Sequence, residues 1–366
     1  MGDDAAGRAS TAGPAGPGDR GPAPRRILVV RLGAIGDCLR VLPSLARLRH
    51  RFPSAEIGWV AGDLVRPLLE GHPAIDRLHV VRRQEMKAGW PSAWRELRRA
   101  GRELAGEGYD VAIDFHTRLK SGFLVRASAA PLRIGLDRAS GTEANFLFTN
   151  CHVRLEDVYE NRVTRFLRLL APLGIDSGVE PWDPGLWVSP EAGARATSIL
   201  AEAGRPDVAV FAGTSSHRPH DRWPVAKWQE VVRRLGDEGL RPMVLWGPGE
   251  IDTASSIAGA SPACRLAPPT TLPEMLALLG RFRLYVGSNT AALHMAWLQG
   301  VPAVVLTGGR PHRTDRPLPP VASAMLSAGG VEPGRKLRGE AARRALEGIE
   351  AGDVVAAALR LLGRDR

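Results

Sequence analysis

The stretch Arg26-Ile-Leu-Val-Val-Arg-Leu-Gly-Ala-Ile-Gly-Asp-Cys-Leu-Arg-Val-Leu-Pro43 limits the fold of this chain more than any other. Ile27 to Val30 is a short apolar run rich in β-branched residues, the pattern of a strand covered on both faces. Gly33 and Gly36 then permit a sharp turn. From Asp37 onward, apolar residues recur at Leu39, Leu42, Leu45 and Leu48, which is helical spacing. A doubly covered strand that passes into a helix through glycines belongs to a parallel sheet with helices on its faces. Ligands of such sheets bind beyond the carboxyl ends of the strands, which places the Asp37 carboxylate at the mouth of a cleft. By residue type Asp37 also suits a plain helix N-cap. Gly33-x-x-Gly36 is not the G-x-G-x-x-G of a dinucleotide site.

The same alternation continues. Strands are predicted over 56–61, 78–81, 110–114 and 132–136, with helices over 64–69, 90–107, 119–127 and 157–173. Residues 175–186 carry two prolines and two glycines and read as a linker. Beyond it, helices are predicted over 194–203, 225–235, 249–258, 272–279, 290–298 and 353–362. Strands are predicted over 207–212, 242–246, 284–286 and 303–306, the last clear one. The expectation is an α/β chain of two doubly wound, Rossmann-like domains, 25–178 and 187–366, with a cleft between them. A length of 366 residues suits two domains.

Met1 to Pro24 is rich in Gly, Ala and Pro without an apolar core, and reads as a disordered leader rather than a signal peptide. No apolar run approaches the roughly 18 residues needed to span a bilayer. Cys38, Cys151 and Cys264 are few, odd in number and far apart, which predicts reduced thiols and a cytoplasmic setting. The net charge is +10. Residues 21–180 hold 25 Lys and Arg against 18 Asp and Glu; residues 181–366 hold 22 against 18. A basic face on the first half suits a phosphorylated glycolipid, an anionic membrane surface or nucleic acid. An Arg-rich composition alone gives the same excess.

Three further stretches carry chemistry. In the first, Val208-Ala-Val-Phe-Ala-Gly-Thr-Ser-Ser216, a strand runs into a small polar turn, followed by Arg218 and Arg222 before Pro224. Gly213, Thr214 and Ser215 could hold a diphosphate with those arginines as counter-charges, or could cap the next helix. His217 and His220 lack carboxylates or thiols at ligand spacing, so no metal is expected. In the second, Val286-Gly-Ser-Asn-Thr-Ala-Ala-Leu-His-Met-Ala296, the device is repeated. Ser288, Asn289 and Thr290 fall at a helix start, with His294 one turn on as a site residue or a packed core histidine. The third is Thr307-Gly-Gly-Arg-Pro-His-Arg-Thr314, a Gly-rich loop whose Arg313 also suits phosphate.

In this order, these stretches resemble the lipopolysaccharide heptosyltransferases, glycosyltransferase family 9. Arg31-Leu-Gly-Ala-Ile-Gly-Asp-Cys-Leu-Arg-Val-Leu-Pro43 is similar to the family's R-x-x-x-x-G-D-x-x-x-x-x-P opening. Asp114 with Lys120-Ser121 resembles D-x-x-x-x-x-K-S, and Arg133-Ile-Gly-Leu-Asp137 resembles R-x-G-x-D. Arg222-Trp-Pro224 matches the end of K-x-W-P, and Ser288 to Ala296 is similar to N-D-[ST]-G-x-x-H-x-A. The chain departs from the pattern at Asp221, where the family has a phosphate-binding lysine, and at Asn289 and Ala291, where it has Asp and Gly.

The resemblance implies a GT-B fold and a metal-independent, inverting transfer of heptose or a related sugar from a nucleotide diphosphate sugar, without a cofactor. The implied acceptor is a saccharide or glycolipid of lipopolysaccharide or another cell-surface glycan, met at the cytoplasmic membrane face, and no nucleic acid partner is expected. Asp37 would be the general base. Gly213, Thr214, Ser215, Arg218, Arg222, Ser288, Asn289, Thr290, His294 and Arg313 would hold the donor, and Lys120, Arg126 and Arg133 the acceptor. Two other readings stand beside it: a nucleotide- or glycan-binding protein without catalysis, motivated by Asp221 and Asn289, and a nucleotide-sugar epimerase.

Overall fold

The computed structural model describes residues 23–180, 182–214, 222–308, 312–328, 337 and 339–364. The expected leader therefore falls almost wholly outside the described residues, as do Ser215, Arg218 and Asp221.

Two six-stranded sheets form the frame. The first contains β1 (Arg26–Val30), β2 (Glu56–Gly62), β3 (Arg77–Val81), β4 (Val111–Asp114), β5 (Leu132–Leu136) and β6 (Cys151–Val153). Its order is β3-β2-β1-β4-β5-β6. The second contains β7 (Val208–Phe211), β8 (Pro242–Leu245), β9 (Arg265–Leu266), β10 (Leu284–Ser288), β11 (Ala303–Leu306) and β12 (Ser323–Leu326), in the order β12-β11-β10-β7-β8-β9. Each pairing is parallel. Counted from their own first strands, the two sheets have the same order, which reverses once, at β1/β4 and at β7/β10. Those switch points are where a doubly wound sheet opens a crevice for ligand. The two sheets thus supply two crevices, one per half of the chain.

The central strands read as continuous apolar runs because helices cover both faces: Ile27 to Val30, Val208 to Val210 and Leu284 to Val286 are fully buried. The structure corrects several boundaries. The helix expected from Asp37 onward is two helices, Ile35–Leu39 and Leu42–Arg51, with Pro43 in the first turn of the second. Asp37 lies inside the first turn and Ala34 holds the N-cap position, so the N-cap reading of Asp37 is overturned. The helix expected over 157–173 is confined to Arg162–Arg168, because the Asn161 side chain accepts from the Val163 amide at 3.0 Å and starts it there. The strand over 303–306 is followed by another, β12. The short edge strands β6 and β9 also escape periodicity, as do the helices Arg83–Lys87, His312–Asp315 and Gly339–Glu347.

The segment expected to be a linker carries neither helix nor strand among its described residues, yet it is pinned at several points. Arg47 donates to the carbonyls of Gly178 and Val179, and His72 Nε2 meets the Gly185 carbonyl at 2.8 Å. Trp182 stacks on Trp297 at 5.5 Å, and Trp187 packs edgewise on His72. One apolar cluster runs beneath it, joining Leu45, Leu68 and Leu69 of the first half to Ile199, Leu276 and Leu279 of the second.

Candidate active site

The Gly36-Asp37 pair sits just beyond β1, at the first switch point and against the second half of the chain. A methyl group at Gly36 would lie 2.6 Å from Cδ2 of His294, so glycine here permits close approach of two helices. The sequence reading gave this glycine a turning role instead.

Asp37 is held by three guanidinium groups. Arg31 binds its Oδ2; Arg40 and Arg162 bind Oδ1 at 3.0 and 2.8 Å. Burial pushes the Asp37 pKa up, but Arg31, Arg40 and Arg162 outweigh it and hold the carboxyl well below the usual carboxylate range. The carboxylate is therefore charged at any working pH, and its side chain keeps 19% of its surface accessible.

Arg40 and Arg162 do not serve Asp37 alone. Arg40 Nη1 also reaches Asp315 Oδ1 at 3.1 Å, and Arg162 Nε reaches the same oxygen at 3.3 Å. Two carboxylates from opposite halves thus share two arginines. The Arg40 guanidinium also meets the His294 ring. Burial first, then the Arg40 charge, holds the His294 pKa well below its ordinary value, so the ring is neutral. Its Nδ1 accepts from Trp297 Nε1 at 2.9 Å. In this arrangement His294 joins the halves.

Beside Asp37 opens a cavity of about 700 Å³. Its cations are Arg31, Arg83, Arg118, Lys120, Arg162 and Arg165, against the carboxylates of Asp37, Asp63 and Glu143. All of its lining comes from the first half. Lys120 is the one of the three expected acceptor residues that lines it. Desolvation first, then Arg118, lowers its pKa. Asp114 and Ser121, its partners in the sequence motif, build the loop beneath it. The buried Asp114 carboxylate accepts from the amides of His116 and Thr117, from Ser121 Oγ and from Asn145 Nδ2. Arg133 donates to the carbonyls of Phe148 and Ala130, and Arg126 stands exposed on the helix Leu119–Ala127; neither is part of the cavity wall.

The second crevice lies beyond β7 and β10. Thr214 Oγ1, Ser288 Oγ and Asn289 Nδ2 are buried there without hydrogen-bond partners among the described residues. At a switch point such atoms are available to a polar ligand. Thr290 holds the N-cap position of the helix Ala291–Trp297. The Glu250 carboxylate accepts from the amides of Thr214 and Gly247, each at 3.0 Å, and lies against Gly213. Arg222 is exposed, and Arg313 crosses between the halves to Asp157 at 2.8 Å. Trp223, next to Arg222, is buried and donates to the Ile349 carbonyl.

Sequence reasoning missed Arg40, Arg162, Asp315 and Glu250. Glu250 had a signal: Trp246-Gly-Pro-Gly-Glu250 is one more strand-to-helix glycine turn. Asp315 directly follows the Gly-rich loop Thr307 to Thr314, while Arg162 had no signal; only the tertiary fold brings either to Asp37.

A family model described as glycosyltransferase family 9 (heptosyltransferase) matches residues 97–338, more than half of the chain. The chain belongs to glycosyltransferase family 9. It is a glycosyltransferase on a GT-B frame, and the Arg31–Pro43 opening with Asp37 lies N-terminal to the matched residues. Lipopolysaccharide heptosyltransferase 1 of Pseudomonas aeruginosa is 28% identical over 293 residues, covering 77% of this chain and 78% of that protein. Its namesake from Salmonella typhimurium is 25% identical over 288 residues, covering 77% and 88%. The structure of the Escherichia coli heptosyltransferase WaaC with ADP superposes with a TM-score of 0.74 at 21% identity, covering 92% of this chain and 99% of that one.

Proposed function

We propose that this family 9 glycosyltransferase moves heptose or a related sugar from a nucleotide diphosphate sugar to a saccharide acceptor, with inversion and without a metal, in lipopolysaccharide or related cell-surface glycan synthesis. The observation that carries the reading is the ionised Asp37 carboxylate in the wall of a cationic cavity, at the meeting point of two ligand crevices. The acceptor occupies the first crevice and the donor the second. The acceptor hydroxyl oxygen attacks C1 of the donor sugar, the bond from C1 to phosphate oxygen breaks with its electron pair, and the hydroxyl proton passes to Asp37. A carboxylate of such low pKa accepts that proton late, once the forming bond has acidified the hydroxyl. Arg222, Arg313 and the polar ends of β7 and β10 offset the charge that grows on the leaving diphosphate.

The names of the matched relatives support a lipopolysaccharide acceptor, and the ADP of the E. coli structure supports an adenine nucleotide. Contact with the inner membrane face belongs to the same reading, as does a cytoplasmic location. No described helix is long and apolar enough to cross a membrane.

Incubation with ADP-, GDP- and UDP-sugars tests the whole. Nucleotide diphosphate should be released only when acceptor is present, with an inverted anomeric configuration by proton NMR. Binding without turnover would leave a non-catalytic binder. Epimerised donor would mean an epimerase.

Two further outcomes are expected. Arg222→Ala should weaken nucleotide diphosphate binding several-fold in calorimetry while leaving acceptor affinity alone, because a charge-assisted phosphate contact is lost. Unchanged affinity would place the phosphate site elsewhere. The KM for an anionic acceptor should rise with salt more than the donor KM does, since the cavity cations act through a screened field. Lys120→Glu should reproduce that acceptor effect at low salt. Salt-independent acceptor kinetics would mean a neutral acceptor.

A further inference from the structure

The helix Trp90–Ala105 places Trp90, Trp94, Arg98 and Arg102 at successive four-residue steps, so they form one stripe along its outer side. All four are exposed, Trp90 by 70%. The two indoles stack on each other at 6.0 Å, and Trp94 leans on Phe123 at 4.9 Å. Phe123 belongs to the neighbouring helix Leu119–Ala127, which also exposes Leu119 one turn earlier and Arg126 further on. Gly101 packs against Phe123 and Ala127, so the two helices run side by side in the same direction. Their amino-terminal ends present Trp90, Trp94 and Leu119; their later turns present Arg98, Arg102 and Arg126.

That polarity is set by the fold. The helices follow β3 and β4, so they begin at the carboxyl edge of the sheet, where the cavity opens. Met86, just before Trp90, and Lys120, just after Leu119, both line that cavity. The aromatic end of the surface is therefore its rim. Among the described residues, no carboxylate pairs with Arg95, Arg98 or Arg126.

We infer that this paired-helix face docks onto the surface of an anionic lipid bilayer. Indole rings settle at the level of lipid headgroups, and unpaired guanidinium groups are drawn to anionic ones. The same unpaired cations oppose docking of a second copy of the chain through this face, because like charges would meet. Docked in this way, the rim of the cavity lies at the headgroup layer, within reach of a saccharide borne on lipid. The purpose of the contact rests on the acceptor reading above; the contact itself does not.

The test is co-sedimentation of the full chain with vesicles of phosphatidylglycerol and phosphatidylethanolamine, and with vesicles of phosphatidylcholine alone. Binding to the anionic vesicles is expected, weakened by salt, with little to the neutral ones. Each cation near such a surface is worth about fivefold in affinity, so Arg98→Glu should weaken binding roughly tenfold or more. Trp90→Ala should weaken it several-fold. Both variants should turn over a water-soluble acceptor saccharide at the wild-type rate, while their KM rises when the same saccharide is carried on vesicles. Wild-type protein left in the supernatant would overturn the inference. So would variants that bind like wild type, or a dimer in sedimentation velocity that Trp90→Ala dissolves. Vesicle binding as expected, with no sugar transferred to any acceptor, would sink the transferase-to-lipid reading and leave the docking surface standing.

Discussion

Asp37→Asn is expected to lower kcat by roughly 10²–10⁴-fold, the usual worth of a general base, while donor binding and circular dichroism stay near wild type. Asparagine can keep accepting from Arg40 and Arg162 through its Oδ1 and loses only the bond from Arg31, which retains the Phe115 carbonyl, so most of the local geometry survives while the proton acceptor is gone. The pH dependence should carry the same signature. With Asp37 held below the ordinary carboxylate range, no acid limb of kcat/KM between about pH 4 and 7 belongs to it, since unperturbed Asp titrates near 3.9. The sign of the stability effect follows. A carboxyl whose pKa is depressed by folding stabilises the native state above its unfolded pKa, and that contribution is lost as the pH falls through the folded value. Asp37 thus contributes fully at neutral pH and fails only in strong acid. A folded Asp37→Asn protein with normal turnover would remove Asp37 from the chemistry.

Arg40→Met should have the largest effect on stability, about 3–5 kcal/mol, the cost of removing one partner from a buried ion network. Arg40 is buried and bridges Asp37 to Asp315, and its loss leaves two carboxylates with fewer counter-charges where the halves meet. Urea unfolding measures it. Adding Asp315→Asn to Arg40→Met should restore part of the loss, because one uncompensated carboxylate disappears. A loss below about 1 kcal/mol would mean that Arg40 acts as an exposed ion pair does.

Much of the frame was legible because central parallel strands are apolar on both faces and the switch-point turns are rich in glycine. What escaped was short or peripheral. Ser323–Leu326 is half-buried along its length, Arg265–Leu266 is two residues long, and neither leaves a periodic trace. The site was legible where it is local. Asp37 follows β1 by a few residues and Lys120 follows β4. Arg162 and Asp315 lie far along the chain from Asp37; nothing near Arg162 marks it, and the Gly-rich loop before Asp315 pointed to phosphate rather than to the Asp37 network. His294 was legible as a residue of interest, yet its burial against Gly36 and Arg40 is a property of the assembled halves. The Arg133 side chain looked like a cation for a ligand because a one-dimensional reading cannot see the carbonyls of Phe148 and Ala130.

The pinned segment between the sheets has a practical consequence. Trp182 covers Trp297, and residues 178, 179 and 185 are fastened to side chains of the first half, so this connector is a strip of shared wall rather than a tether. A protease should find little purchase on it in the native protein. Expressing either half separately, by cutting the gene there, would bare an apolar seam that each normally hides from water, and insoluble fragments are the expected yield.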